Sequence, residues 1–162
     1  MSPEFKRRYG LLILACVLII PLDQWTKYLV VQRFELHQSM TLIEHYLNLV
    51  YVQNTGAAFG IFADSALRVP FLSGIAVLAV GVILWVLSRL GREQRWQKIG
   101  LILVVPGAIG NLIDRVRFGY VIDFIDVHWY QHHWPAFNVA DSAITLGVVF
   151  MLMDILRTRR AR

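Results

Sequence analysis

Four apolar stretches, at residues 10–31, 69–90, 98–114 and 137–156, are long enough to cross the hydrocarbon of a bilayer, which takes about 17–25 residues of helix. The third is the shortest and is expected to extend by a turn at either end. Lipid offers no partner to a backbone N–H or C=O, so such segments must satisfy their own hydrogen bonds as helices. The chain therefore reads as an integral membrane, all-α protein, with four transmembrane helices in one domain over residues 1–162. Charge content agrees: 17% of the residues are charged, against about 25% in a soluble domain.

Basic residues set the expected orientation. Lys6, Arg7 and Arg8 precede the first span, Arg89, Arg92, Arg95 and Lys98 join the second to the third, and Arg157, Arg159, Arg160 and Arg162 follow the fourth. Clusters on one side predict that both termini are cytoplasmic. The net charge of +5 is thereby explained without nucleic acid, which is not expected as a partner. Ile13-Leu14-Ala15-Cys16 after three basic residues looks like a lipoprotein signal, but the apolar run continues past Cys16 to Leu22. Cys16 is read as an ordinary helix residue that packs as a small hydrophobe.

The outer connections, residues 32–68 and 115–136, are then periplasmic. Residues 47–53 and 121–127 are rich in branched and aromatic side chains and read as strands. Trp129, Tyr130 and Trp134 suit the membrane–water boundary. A small periplasmic sheet on the outer leaflet, above the bundle, is the expectation.

Polar residues gather near the outer ends of the spans. Asp23 and Lys27, at i and i+4, can neutralise each other on one helix face. Gly107, Gly110, Asn111, Asp114 and Arg115 form one stripe of the third helix, small residues first and polar ones after. These are read as scaffold. Asp123 and Asp141 differ, since no basic residue stands within a helical turn of either in the sequence. Brought together they could not both ionise, so the proton affinity of one would rise, and such a pair can activate water. The same residues also admit a bland account: Asp141 favours the positive end of a helix dipole, with Asn138 as its cap, and Asp123 is a solvated loop acid. Asp126 is the nearest competing acid.

His128, His132 and His133 invite a metal reading, but interfacial anchoring accounts for them better, and neither a metal nor a cofactor is expected. Asn54-Thr55-Gly56-Ala57-Ala58-Phe59-Gly60 lacks the Lys-Ser/Thr ending of a phosphate loop. Its small residues suit close approach of a bound chain.

Taken together, Asp23-Gln24-Trp25-Thr26-Lys27, Asn54-Thr55-Gly56-Ala57-Ala58-Phe59, Gly110-Asn111-Leu112-Ile113-Asp114-Arg115, Val121-Ile122-Asp123-Phe124 and Phe137-Asn138-Val139-Ala140-Asp141-Ser142 resemble the lipoprotein signal peptidase (signal peptidase II) family, in order along the chain. The resemblance implies an aspartyl endopeptidase of the bacterial inner membrane with its active site towards the periplasmic face. It would cleave prolipoproteins just before the diacylglyceryl-modified cysteine, with Asp123 and Asp141 as the catalytic pair. It also implies that Asn54, Gly56, Asn111, Arg115, Asn138 and Ala140 line or support the substrate groove, and that globomycin inhibits. Membrane lipids and a lipidated prolipoprotein are the expected partners, and a monomer the expected state. The rival is a small transporter or proton-conducting protein, since membrane carboxylates also form proton relays. Against it, the acids cluster at one face and no duplicated halves are visible.

Overall fold

Helix α1 (Pro3–Arg33) leads into a hairpin of β1 (Ser39–Ile43) and β2 (Leu47–Asn54). Helices α2 (Arg68–Arg89) and α3 (Arg95–Phe118) follow, then β3 (Val121–Trp129), β4 (His132–His133) and α4 (Val139–Arg160). This is a computed structural model, and it describes residues 3–56, 67–91 and 93–160. All four helices are long and apolar enough to span a membrane. The third reaches beyond its apolar stretch at both ends, as its sequence predicts.

Large side chains such as Ile13, Leu18, Leu78 and Trp85 are 60–68% exposed on the helix faces, far more apolar surface than a soluble monomer tolerates. Helix α3 is the exception: 56% of its apolar window is buried, against 6–17% in the others, so it is the axis of the bundle. Its seam with α4 rests on small residues. A Cβ on Gly100 would lie 2.5 Å from the Gly147 carbonyl oxygen, and one on Gly107 would lie 2.5 Å from that of Ala140. Only glycine permits backbones so close, which is how helices gain packing where lipid removes the hydrophobic drive.

One end of the bundle is apolar: Leu12, Leu87, Leu90, Leu101, Ile102 and Val105 form its core, with Cys16 packed against it. Here Arg8 does more than orient the chain. Its guanidinium donates to the carbonyls of Leu87 at 2.6 Å and Leu90 at 2.7 Å, capping the C-terminal end of α2, where orphan carbonyls favour a cation.

The opposite end carries the sheet, antiparallel and ordered β1-β2-β3-β4. Gly119, at φ 81°, ends α3 with its N–H on the Arg115 carbonyl at 3.0 Å, the left-handed cap that glycine adopts without penalty. The chain then enters β3 after a single further residue, which fixes Asp114 and Asp123 relative to each other. Val30, Tyr51, Ile122 and Phe124 form a second core beneath the sheet. β1 is exposed along its whole length, so no buried face marks it, and β4 has only two residues.

Candidate active site

Helix α4 begins with a reciprocal cap. Asn138 Oδ1 accepts the Asp141 N–H at 2.9 Å, while Asp141 Oδ2 accepts the Asn138 N–H at 3.3 Å. This is the capping-box arrangement, which satisfies two orphan donors at once. It holds the Asp141 carboxylate over the helix start, half-buried. The backbone approaches this cap through Phe137, bridged to Ile125 of β3.

Asp123 enters from β3, opposite Val52 of β2. Its Oδ1 accepts from Asn138 Nδ2 at 2.7 Å and its Oδ2 from Asn54 Nδ2 at 2.9 Å. Asp123 is 1% exposed. Burial pushes its pKa up to about 6, and the charge of Asp141 adds to the rise, against the hydrogen bonds from Asn54 and Asn138 and the charge of Lys27. A carboxyl that holds a proton near neutrality is the kind an acid–base pair needs.

Beneath the pair lies a buried ionic cluster. Lys27, 1% exposed, is within 2.8 Å of Asp23 and 2.9 Å of Asp114, and donates to Asn111 Oδ1 at 3.1 Å. Gln24 donates to Asp114 Oδ1 at 2.8 Å. The second oxygens are also engaged: Asp23 Oδ1 accepts the Ala140 N–H at 2.9 Å, and Asp114 Oδ2 accepts the Ile122 N–H at 3.2 Å. Thus α1, α3, β3 and the start of α4 converge on one lysine. Removing Lys27 would leave two buried carboxylates without their cation, and breaking a buried pair in this way typically costs about 3–5 kcal/mol.

Of the scaffold residues read from the sequence, Asp23, Lys27, Asn111 and Asp114 are brought to this cluster, and so are Asn138 and Ala140, which the resemblance implied for the groove. Asn111 Nδ2 donates to Asp141 Oδ1 at 2.7 Å. The expectation that no cation stands near the two aspartates holds along the chain but not in space. The charge of Arg115 acts on Asp141, Asp114 and Asp123, and that of Lys27 on Asp123. Arg115 also reaches the Asn111 carbonyl at 3.4 Å. Gly56 donates its N–H to Asn54 Oδ1 at 2.8 Å and has φ 72°. The rest of that motif, Ala57-Ala58-Phe59-Gly60, lies outside the described residues.

Asp126 is engaged elsewhere. It accepts from Asn48 at 2.9 Å, its cross-strand neighbour, and lies 2.8 Å from His133 Nδ1. Burial raises its pKa, but the Asn48 and His133 contacts outweigh this and hold the carboxyl below its usual range. His128 stacks on His133 with ring centroids 4.6 Å apart, and its Nδ1 lies 2.9 Å from the Tyr130 carbonyl oxygen, so these histidines close the β3–β4 hairpin. Trp129 and Trp134 stand exposed nearby. The role of Asn48 was not apparent from its residue type, because only the β2–β3 register places it opposite Asp126.

A model of the signal peptidase (SPase) II family matches residues 15–157. The lipoprotein signal peptidase of Syntrophotalea carbinolica is 48% identical over 146 residues, covering 90% of this chain and 91% of that one. That of Geobacter sulfurreducens is 46% identical over 141 residues, covering 87% and 88%. A solved structure described as a bacterial membrane enzyme superposes with TM-score 0.82 at 31% identity, covering 94% of this chain and 92% of that one.

Proposed function

The chain belongs to the signal peptidase II family and removes signal peptides from prolipoproteins, and we propose that it does so as an intramembrane aspartyl endopeptidase, with Asp123 and Asp141 as the reacting pair. The observation that carries this reading is Asn138, whose side chain donates to the Asp123 carboxylate while its backbone N–H donates to that of Asp141. Two carboxylates held to one asparagine form a unit that can share a proton.

The environments of the two suit different tasks. Asp123 is buried, so its neutral form is favoured, and as an acid it hydrogen-bonds the scissile carbonyl oxygen. Asp141 is the more open to water and takes a proton as the water oxygen bonds to the carbonyl carbon. The tetrahedral intermediate then collapses: its C–N bond breaks and the pair delivers a proton to the departing amine. The products are the signal peptide's carboxylate and the amino group of the lipidated cysteine. Titration steps belong to the pair rather than to either residue.

The polar site sits at one end of the bundle, and the basic residues collect at the ends of the spans away from it. This supports cytoplasmic termini and a site towards the periplasmic face of the bacterial inner membrane; we take the chain to act as one membrane-embedded domain and as a monomer. Exposed Trp129, Tyr130 and Trp134 suit a sheet seated at the outer leaflet. The substrate is the diacylglyceryl-modified prolipoprotein, cut just before the lipidated cysteine, with Asn54, Gly56 and Arg115 bordering its path. A proton-conducting role is disfavoured because the other end of the bundle is closed by apolar packing around Leu87 and Val105. The deciding experiment is cleavage of a lipidated prolipoprotein by purified wild-type, Asp123→Asn and Asp141→Asn proteins. Loss in both variants, with fold and insertion retained, is the expected result; substantial cleavage by either variant would remove the assignment.

A further inference from the structure

Neither aspartate needs Lys27 for chemistry, yet Lys27 lies only one residue removed from Asp141. An ammonium group can donate and cannot accept. Its three N–H bonds go to Asp23 Oδ2, Asp114 Oδ2 and Asn111 Oδ1. Asn111 Oδ1 receives a second donor, Asn138 Nδ2, at 3.2 Å. The direction of Asn138 is itself fixed, because its Oδ1 is held by the Asp141 backbone N–H. With two donors on its oxygen, Asn111 has one orientation left: its NH₂ must face Asp141 Oδ1, 2.7 Å away. An amide flip would set a carbonyl against a carboxylate and an NH₂ against an ammonium.

We propose that Lys27 is a positioning residue for the peptidase reaction: through Asn111 it fixes the direction of a hydrogen-bond chain that ends on Asp141. The inference rests on Asp123 and Asp141 being the reacting pair. Asp141 Oδ1 then always faces a donor at 2.7 Å and is held as an acceptor, while Oδ2, which takes only the longer 3.3 Å cap bond from the Asn138 N–H, handles the proton of the attacking water. Lys27 also sets the helix that carries Asp141, because the Asp23 carboxylate it pairs with receives the Ala140 N–H. The charged groups facing the pair are Asp23 and Lys27 from α1 and Asp114 and Arg115 from α3, while Asp126 and His133 on the sheet are turned to each other.

The test is steady-state kinetics of the full chain in proteoliposomes, with a lipidated prolipoprotein as substrate. Lys27→Met removes the donor and the cation. Because it strands two acids, Asp23→Asn/Lys27→Met/Asp114→Asn is made beside it, neutralising the cluster as a set. In whichever variants fold, the expected result is a fall in kcat on the order of 100-fold, the loss that misplacing a reacting group brings, with KM nearly unchanged. In Lys27→Met, the basic limb of the kcat/KM profile, where Asp123 loses its proton, moves to higher pH, since the cation that lowers the Asp123 pKa is gone. A folded variant with wild-type kcat and an unmoved limb would overturn the proposal, as would failure of both variants to fold, which would confine Lys27 to the fold. Asp123→Asn and Asp141→Asn in the same assay separate the two readings. If either cleaves, the dyad fails first; if neither does, the kinetics of the Lys27 variants decide the role of Lys27 alone.

Discussion

Asn138 Nδ2 lies 2.7 Å from Asp123 Oδ1, joining the first turn of α4 to a residue of β3 across 15 positions of sequence. The same side chain caps the helix, so one asparagine sets both the start of α4 and the face of Asp123 that receives a donor. Asn138→Ala should lose the cap, worth about 1 kcal/mol, and also misplace Asp123. A fall in turnover on the order of 100-fold, much larger than the change in stability would explain, is expected when cleavage and thermal unfolding are measured together. Asn138→Asp keeps a capping oxygen but sets a third carboxylate beside the pair, and should lose activity while retaining the helix.

The two aspartates should behave as one unit. The double variant Asp123→Asn/Asp141→Asn is expected to be no worse than either single variant, because removing one member of a cooperating pair already removes the reaction path. Asp126→Asn serves as the internal control, since its partners are Asn48 and His133, and it should retain most activity. Initial rates on one substrate compare the four variants with wild type.

Stability should depend on pH through Asp123. Its pKa in the folded protein is raised to about 6, above the value of about 3.9 in an unfolded chain. Folding therefore favours the protonated form, and the contribution present below about pH 4 is lost as pH rises through about 6. Thermal unfolding of wild type and Asp123→Asn across pH 4 to 7 should show wild type losing ground relative to the variant as pH rises. A difference that is flat with pH would contradict this.

Gly56 should tolerate no bulky residue. Its φ of 72° is strained for any residue with a Cβ, and a Cβ there would meet Leu72 Cδ1 at 2.7 Å. Gly56 also orients Asn54, the donor to Asp123 Oδ2. β-branched valine is the severest case at positive φ, so Gly56→Val should depress cleavage at least about 10-fold while Gly56→Ala does less. Cleavage rates beside an unfolding curve distinguish a displaced Asn54 from a lost fold.

The apolar runs, the charge clusters between them and the strand-like segments 47–53 and 121–127 were legible in the sequence because each is a local property: hydropathy, net charge, or side-chain type over a few residues. The Asp23–Lys27 pair and the Asn138 cap were legible for the same reason, since helix geometry alone brings i and i+4, or a cap and its third residue, together. The exposed strand β1 was not, because it is a five-residue segment that buries no side chain against a core. Nor was the capping of α2 by Arg8, whose partners lie about 80 residues away. Tertiary structure alone decided that one buried lysine ties α1 to α3 and, through Asp23, to α4, that Asn138 spans both aspartates, and that Arg115 and Lys27 reach a pair with no basic neighbour in sequence. The reason is physical. Hydrogen bonds and burial act through distances of a few ångströms, and only the packing of α3 against α1 and α4, with Gly107 and Gly110 at the crossings, sets those distances for residues far apart along the chain.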